Sequence, residues 1–447
     1  MSDTRPPKPS SRPKQVTHLS DSVKARRCAA LAVMDVQANG TALELALDAT
    51  PDYAGLDARD RAFARLIAAT TFRRFGQIKA VLKPFLKKTP TAFVMATLQT
   101  AVAQIVFLKT PPHAAVGETV DVLKSRSASK GFAALGNAVL RRVVEQGVGL
   151  AAAAPPSANI PGWIRGQWEK HYGRVPTRQL SVQLIKDPGL DLTVPSGRED
   201  LAESLSAKPI GAQTLRLSDI GDITALPGFA EGQWWAQDLA AAQPAQMLMR
   251  EMGDGKTALD LCAAPGGKTM QMASAGLAVT AVDKSSGRLV RMRENLARTK
   301  LTADVICADV LEWDSPTQFD GVLLDAPCSA TGTYRRHPDV LFNRSPKSLA
   351  DLVRLQDKLL PRAASHVAPG GVLVYAVCSL QPDEGLPRIE KFLATSPDFR
   401  LIPQSTLPGL DLPIERFEGG MVRTMPSDLA KSGGMDGFFI AAMRRIK

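Results

Sequence analysis

The sequence predicts a multidomain chain: an all-helical N-terminal domain followed by an α/β domain on a mostly parallel sheet. Three observations carry this. From Asp21 to about Val144, apolar residues recur at three- and four-residue spacing without strand-type alternation. From Ala236 onward, near-continuous apolar runs alternate with helix-like stretches, the pattern of strands buried on both faces. A length of 447 residues is too great for one ordinary domain.

In chain order, residues 1–20 are Pro-, Ser- and Lys/Arg-rich without an apolar core, which predicts a disordered basic tail rather than a secretory signal. Residues 21–150 predict a compact domain of five to seven helices, through stretches such as VKARRCAALAVMDV and ARDRAFARLIAATTFRRF. The proline-bearing AAAAPPSANIPGW opens a linker and accessory module over 151–235, with a helix through WIRGQWEKHYG and short extended segments LDLTVPS and LRLS. Residues 236–447 form the α/β domain. Its strand candidates are TALDLCA, LAVTAVDK, ADVICADV, GVLLDAP and GGVLVYAVCS, then FRLIPQ and GFFIAAMRR. Seven strands closed by a hairpin-type edge make a Rossmann-like sheet.

Composition narrows the function classes. The formal net charge is +11, and residues 1–90 hold 16 Lys+Arg against 8 Asp+Glu. Such asymmetry points to a polyanionic partner. No run approaches the ~18 apolar residues of a membrane span, so the chain is expected in the cytosol, away from membranes. The five cysteines are odd in number and lack zinc spacing, which argues against a disulfide framework and a structural metal. Nothing points beyond a monomer.

In DLCAAPGGKT, Asp260 and Cys262 end a strand, Ala263, Ala264, Pro265, Gly266 and Gly267 make a turn, and Lys268 opens a helix. Glycines admit a ligand close to the backbone, and free helix-terminal amides attract an anionic group. A nucleotide P-loop is excluded, because its first glycine would have to stand where Cys262 does. Asp283 and Asp309 end the next two strands, where carboxylates suit a ribose and an adenine edge. Together they predict a nucleoside site. Cys28, Cys262 and Cys307 read as small core residues. Cys328, after Asp325 and Pro327, and Cys378, before Ser379, instead lie beyond their strands at the ligand edge. Either thiol is a candidate nucleophile once deprotonated.

These segments resemble those of the NOL1/NOP2/Sun family of RNA 5-methylcytosine methyltransferases, as do RRHPD, LVRLQDKLL and the final DGFF. LDARDRAF, TFRR, PPHAAVGETVDVLK and GNAVLRRVV resemble the NusB-like RNA-binding domain of its bacterial Sun/RsmB-type branch. The resemblance implies S-adenosylmethionine as methyl donor, framed by Cys262 to Lys268, Asp283, Asp309 and Asp325. It implies Cys378 as the nucleophile that adds to cytosine C6, Asp325 at the base near N3, and Cys328 helping to expel the nucleophile. The implied partner is small-subunit ribosomal RNA, naked or in the assembling subunit. Val377 and Gly385 depart from the threonine and asparagine common in the family at those places.

A target cytosine must be flipped or unpaired to be reached. Arg26, Arg27, Arg59, Arg61, Arg73 and Arg74 are expected to grip phosphates, with Arg335 and Arg336 nearer the target. A transfer-RNA enzyme and a non-catalytic RNA-binding assembly factor are the rival readings; the intact cysteine pair argues against the second.

Overall fold

The computed structural model describes residues 19–218, 221–413 and 416–447; residues 1–18 of the expected tail lie outside the described residues. Ser20 already belongs to the fold. It caps the helix Asp21–Asn39 by accepting the Val23 amide, and Gly40, at φ +70°, ends that helix in the left-handed conformation glycine adopts freely.

The helical domain continues through Leu43–Asp48, Ala58–Arg73, Phe75–Leu82, Ala92–Val102, Pro112–Lys124, Ser127–Lys130 and Ala133–Ala153. That is eight α-helices among the described residues of this domain, against five to seven helices expected. The segments of six and four residues are too short to display a 3.6-residue period. The first helix buries Ala25, Cys28, Ala32 and Val33 against Ile67, Ala68 and Phe72 of the third. The last helix stops ahead of Pro155, because the residue before a proline is pushed out of helical geometry. No helix among the described residues is long and apolar enough to cross a membrane.

A helical hairpin, Gly162–Tyr172 and Arg174–Leu184, leads into a four-stranded antiparallel sheet. Its strands are β1 (Leu190–Thr193), β2 (Lys208–Ile210), β3 (Thr214–Leu217) and β4 (Trp235–Ala236), in the order β2-β3-β1-β4. Asp191 on β1 and Arg216 opposite it on β3 form a buried bidentate pair, with bonds of 2.6 and 2.7 Å. Arg216 also donates to the carbonyls of Ser432 and Gly434, which ties this small sheet to the large one.

The large sheet comprises β5 (Thr257–Leu261), β6 (Ala278–Asp283), β7 (Asp304–Cys307), β8 (Phe319–Asp325), β9 (Val367–Val377), β10 (Phe399–Leu401), β11 (Val422–Arg423) and β12 (Phe439–Arg445). Its order is β10-β12-β9-β8-β5-β6-β7, parallel from β9 to β7 and antiparallel at β12. Seven of these strands are the ones expected; the eighth, β11, is two residues long and pairs with β12. Chain order reverses at β5, with β6 and β7 on one side and β8 and β9 on the other. In open α/β sheets a ligand binds at such a switch point, outside the strands' carboxyl ends. Apolar cores lie on both faces, one around Leu259, Leu324 and Tyr375, the other around Ala258, Leu323 and Val374.

Candidate active site

The parallel strands all deliver their loops to one edge. After β5, Cys262 takes a left-handed backbone, φ +61°, and Gly266 another, φ +101°. Left-handed backbone is uncommon outside glycine and tends to mark sites where the chain is forced around a function. The turn closes through the Gly266 amide to the Ala263 carbonyl, 2.9 Å, and the Ala263 amide to the Val282 carbonyl, 3.2 Å. A β-carbon at position 266 would stand 2.7 Å from Met292 Cγ, so conformation and space both demand glycine there.

Beneath this turn Asp260 is fully buried. Thr269 Oγ1 donates to its Oδ2 at 2.5 Å, while Oδ1 has no partner among the described residues. Burial pushes the Asp260 carboxyl up to about 7, against the lowering pull of Thr269 and Lys268. Lys268 Nζ lies 2.6 Å from Asp325 Oδ2 at the end of β8. Burial pulls the Lys268 ammonium down, but Asp325, Asp260 and Cys378 together outweigh that pull and leave it raised. Cys262 is pushed up to about 12, by burial first and then by the surrounding carboxylates, so it is no nucleophile.

A cleft next to this loop is lined by Cys262, Asp283, Lys284, Arg288, Asp309, Val310, Pro327, Leu355 and Leu359. Asp283 is already well bonded. It accepts from the amides of Ala264 and Ser285 and twice from Arg288 Nη2, at 3.0 and 2.7 Å. The Arg288 side chain is half exposed, so it covers the carboxylate without being locked there. Asp309 is exposed and accepts the Leu311 amide. Leu355 and Leu359 come from the helix Pro346–Ser365, within the segment LVRLQDKLL.

The two expected thiols meet. Cys328 Sγ and Cys378 Sγ are 3.5 Å apart, from loops after neighbouring strands β8 and β9. Contact with the Cys378 sulfur, then burial, then the charges of Cys378 and Glu384 raise Cys328 well above the ordinary thiol range. Each cysteine is followed by a serine, and both serines reach one buried carboxylate. Glu384 accepts from the Ser329 amide (2.9 Å), Ser329 Oγ (2.6 Å), Ser379 Oγ (2.5 Å) and Gln356 Nε2 (3.0 Å). Sequence reasoning passed over Glu384. The repeated Cys-Ser dipeptide, with an acid soon after the second copy, was the available signal.

One cysteine reading changes. Cys28 is a core residue as expected, but Cys307 is exposed, because it ends β7, the outermost strand of the sheet. Most of the expected phosphate-gripping arginines are structural. Arg26 is buried, paired with Glu118 at 2.7 Å and set over the Phe63 ring. Arg27 pairs with Asp52. Arg73 Nη1 donates to three carbonyls, of Leu184, Lys186 and Arg335. Arg74 bonds Gln77 and the Ile185 carbonyl. Arg335 is buried and donates to the Gly433 carbonyl. Arg336 is paired with Asp238 and Asp436. Spacing placed these side chains on helices and loops but could not say which distant residues, of the same domain for Arg26 and Arg27 and of other parts of the chain for Arg73 and Arg74, lay against them. Of the eight, Arg59 and Arg61 are exposed and in no ion pair among the described residues.

Residues 23–145 match the NusB family, and residues 247–444 match the family described as 16S rRNA methyltransferase RsmB/F. Ribosomal RNA small subunit methyltransferase B of Pseudomonas putida is 36% identical over 94% of this chain and 98% of its own. The chain belongs to this family. The Vibrio cholerae protein of the same name is 32% identical over 95% of this chain and 98% of its own. The fold is shared with a solved structure titled PH0851, at 22% identity and a TM-score of 0.72 over 96% of this chain and all of that one. Members of the RsmB/F family are S-adenosylmethionine-dependent methyltransferases, so the resemblance read from the cysteine loops and the helical domain holds.

Proposed function

We propose that this protein methylates C5 of a cytosine in small-subunit ribosomal RNA through a covalent adduct between Cys378 and C6. The observation that carries the reading is the sulfur pair, 3.5 Å apart at adjoining strand ends, on the same sheet edge as the Lys268–Asp325 pair. A methyltransferase acting on an amine or oxygen has no use for two such thiols.

The chemistry requires them. C5 of cytosine is a weak nucleophile until a thiolate adds at C6 and makes C5 enamine-like, which divides one hard step into two easier ones. In this reading Cys378 adds to C6, and Asp325 contacts the base near N3 to assist electron flow. Cys328 then helps Cys378 leave once C5 has lost its proton.

The residues present fit S-adenosylmethionine. Asp260 Oδ1 is buried without a partner among the described residues, and the helix Gly267–Ser274 has no side-chain cap on its amino end. Cys262, Ala263, Ala264, Pro265, Gly266, Gly267 and Lys268 would hold the amino-acid part. Asp283 and Asp309 would take the nucleoside against Val310, Leu355 and Leu359. When bound, the cofactor supplies an electrophilic methyl group. The NusB-like domain and its exposed Arg59 and Arg61 would hold RNA, and the reaction would take place in the cytoplasm, on ribosomal RNA or the assembling subunit.

The test is a denaturing gel of protein with small-subunit ribosomal RNA and S-adenosylmethionine, with nucleoside mass analysis of the product. Cys328→Ala should accumulate an RNA adduct, Cys378→Ala should form none, and the product should be 5-methylcytosine. An adduct that instead requires Cys328 would exchange the two roles. Absence of both adduct and methylation in the wild type would sink the reading.

A further inference from the structure

Two thiols 3.5 Å apart raise a question that their positions leave open: what keeps them apart in role. We propose that Glu384 is a positioning residue for the thiol pair, holding the two loops through Ser329 and Ser379 and keeping Cys328 as the protonated partner of Cys378. This rests on the covalent reading above.

The geometry is specific. Glu384 is wholly buried, and among the described residues every donor to its carboxylate comes from Ser329, Ser379 or Gln356, around the sulfurs. Ser329 gives both its amide and its hydroxyl, Ser379 its hydroxyl, and Gln356 its amide. Gln356 also donates to the carbonyl of Pro327, on the other side of Cys328. The serine hydroxyls lie 2.9 Å from each other. The residues following Cys328 and Cys378 are thus fastened to one carboxylate, which fixes the loops carrying the sulfurs. A buried carboxylate that accepts four hydrogen bonds in this way favours one arrangement of the loops around it.

The charges are arranged unequally. Among the causes raising Cys328 is the negative charge of Glu384, whereas the Lys268 ammonium feels the charge of Cys378. Tyr375, neutral and buried, faces Glu384 and Cys328, with Arg388 and Arg423 beyond it. Arg423 bonds the Ser379 carbonyl and Arg344 the Ser329 carbonyl, so both cations address the backbone of the loops. Lys268 is itself paired with Asp325.

The step this serves is release. The electron pair of the C5–H bond forms the C5–C6 double bond, and the proton passes to water. The pair of the S–C6 bond returns to Cys378 sulfur. Cys328 donates its thiol proton to that sulfur and regains one from water. A Cys328 already ionised has no proton to give.

Two readouts separate this role from simple support of the fold. In a Cys378→Ala background, the pH midpoint of Cys328 alkylation by iodoacetamide, followed by peptide mass, should fall when Glu384→Gln is added. With both cysteines present, Glu384→Gln should still form the RNA adduct but turn over at least tenfold more slowly, so that adduct accumulates as in Cys328→Ala. Ser329→Ala and Ser379→Ala should move both readouts the same way by smaller amounts, and they serve if Glu384→Gln does not fold. An unmoved alkylation midpoint, or adduct formation lost in parallel with turnover, would overturn the proposal. If the wild type forms no adduct, the cytosine-C5 reading has failed; the midpoint, which needs no RNA, still decides on Glu384.

Discussion

The Leu43 amide donates to Asp339 Oδ2 at 3.0 Å, across 296 positions of sequence. The helix Leu43–Asp48 begins at Ala42, which offers no side-chain cap, so a carboxylate from the large α/β domain supplies it. Around this bond Phe342 packs its ring against Phe72 and Phe75, at 5.4 and 4.7 Å between centroids. The segment that follows Cys328 therefore also forms the seat of the helical domain.

Asp339→Ala should cost about 1 kcal/mol through the lost cap, while Asp339→Asn, an equally good capping residue, should stay close to the wild type. Thermal unfolding of the three proteins checks this. Equal loss in both variants would mean that the charge, not the cap, matters.

Arg73 and the pair Arg59 and Arg61 should separate structure from RNA binding. Arg73→Ala leaves three carbonyls without their donor and should lower stability by about 3 kcal/mol, with no change in the salt dependence of RNA affinity. Arg59→Ala and Arg61→Ala should leave the melting temperature within about 2 °C, since exposed substitutions cost little. Each should reduce the slope of log affinity against log salt by about 1. Urea unfolding and RNA binding at several salt concentrations give both quantities.

Asp260 predicts a pH dependence. Its carboxyl is raised from an ordinary value near 3.8 to about 7, so between those values the folded chain holds a proton that the unfolded chain has lost. Its contribution to stability is therefore full below about pH 4 and fades as pH rises through about 7. Asp260→Asn should remove this slope, which urea titrations at pH 5 and pH 7.5 would show. If Oδ1 meets the cofactor's ammonium group, S-adenosylmethionine should bind more tightly above pH 7 than below it. Calorimetry on the wild type and on Asp260→Asn tests that.

Lys268→Met should reduce adduct formation by about 100-fold, because it strips a buried cation from the Cys378 side and leaves Asp325 unpaired. Stopped-time adduct gels read the rate, and circular dichroism confirms the fold. A rate within threefold of the wild type would remove Lys268 from the chemistry.

Local pattern carried far in this chain. Helical periodicity marked the long helices of the first domain, and apolar runs marked seven strands of the large sheet, because side-chain spacing records which faces are buried. Strand ends such as Asp283, Cys328 and Cys378 were legible for the same reason: in a parallel sheet, chain direction alone puts them on one edge. Short elements escaped, since two residues at β11 or four at Ser127–Lys130 hold no period.

The sequence by itself determined the fold class, the glycine turn after β5 and the approach of two cysteine loops, all consequences of order along the chain. The tertiary structure decided what those residues face. It turned Arg26, Arg73 and Arg335 inward as struts, put Arg288 over Asp283, and brought Glu384 beneath both Cys-Ser corners. Burial and pairing depend on what packs against a side chain, and for these residues the neighbours come from tens to hundreds of positions away.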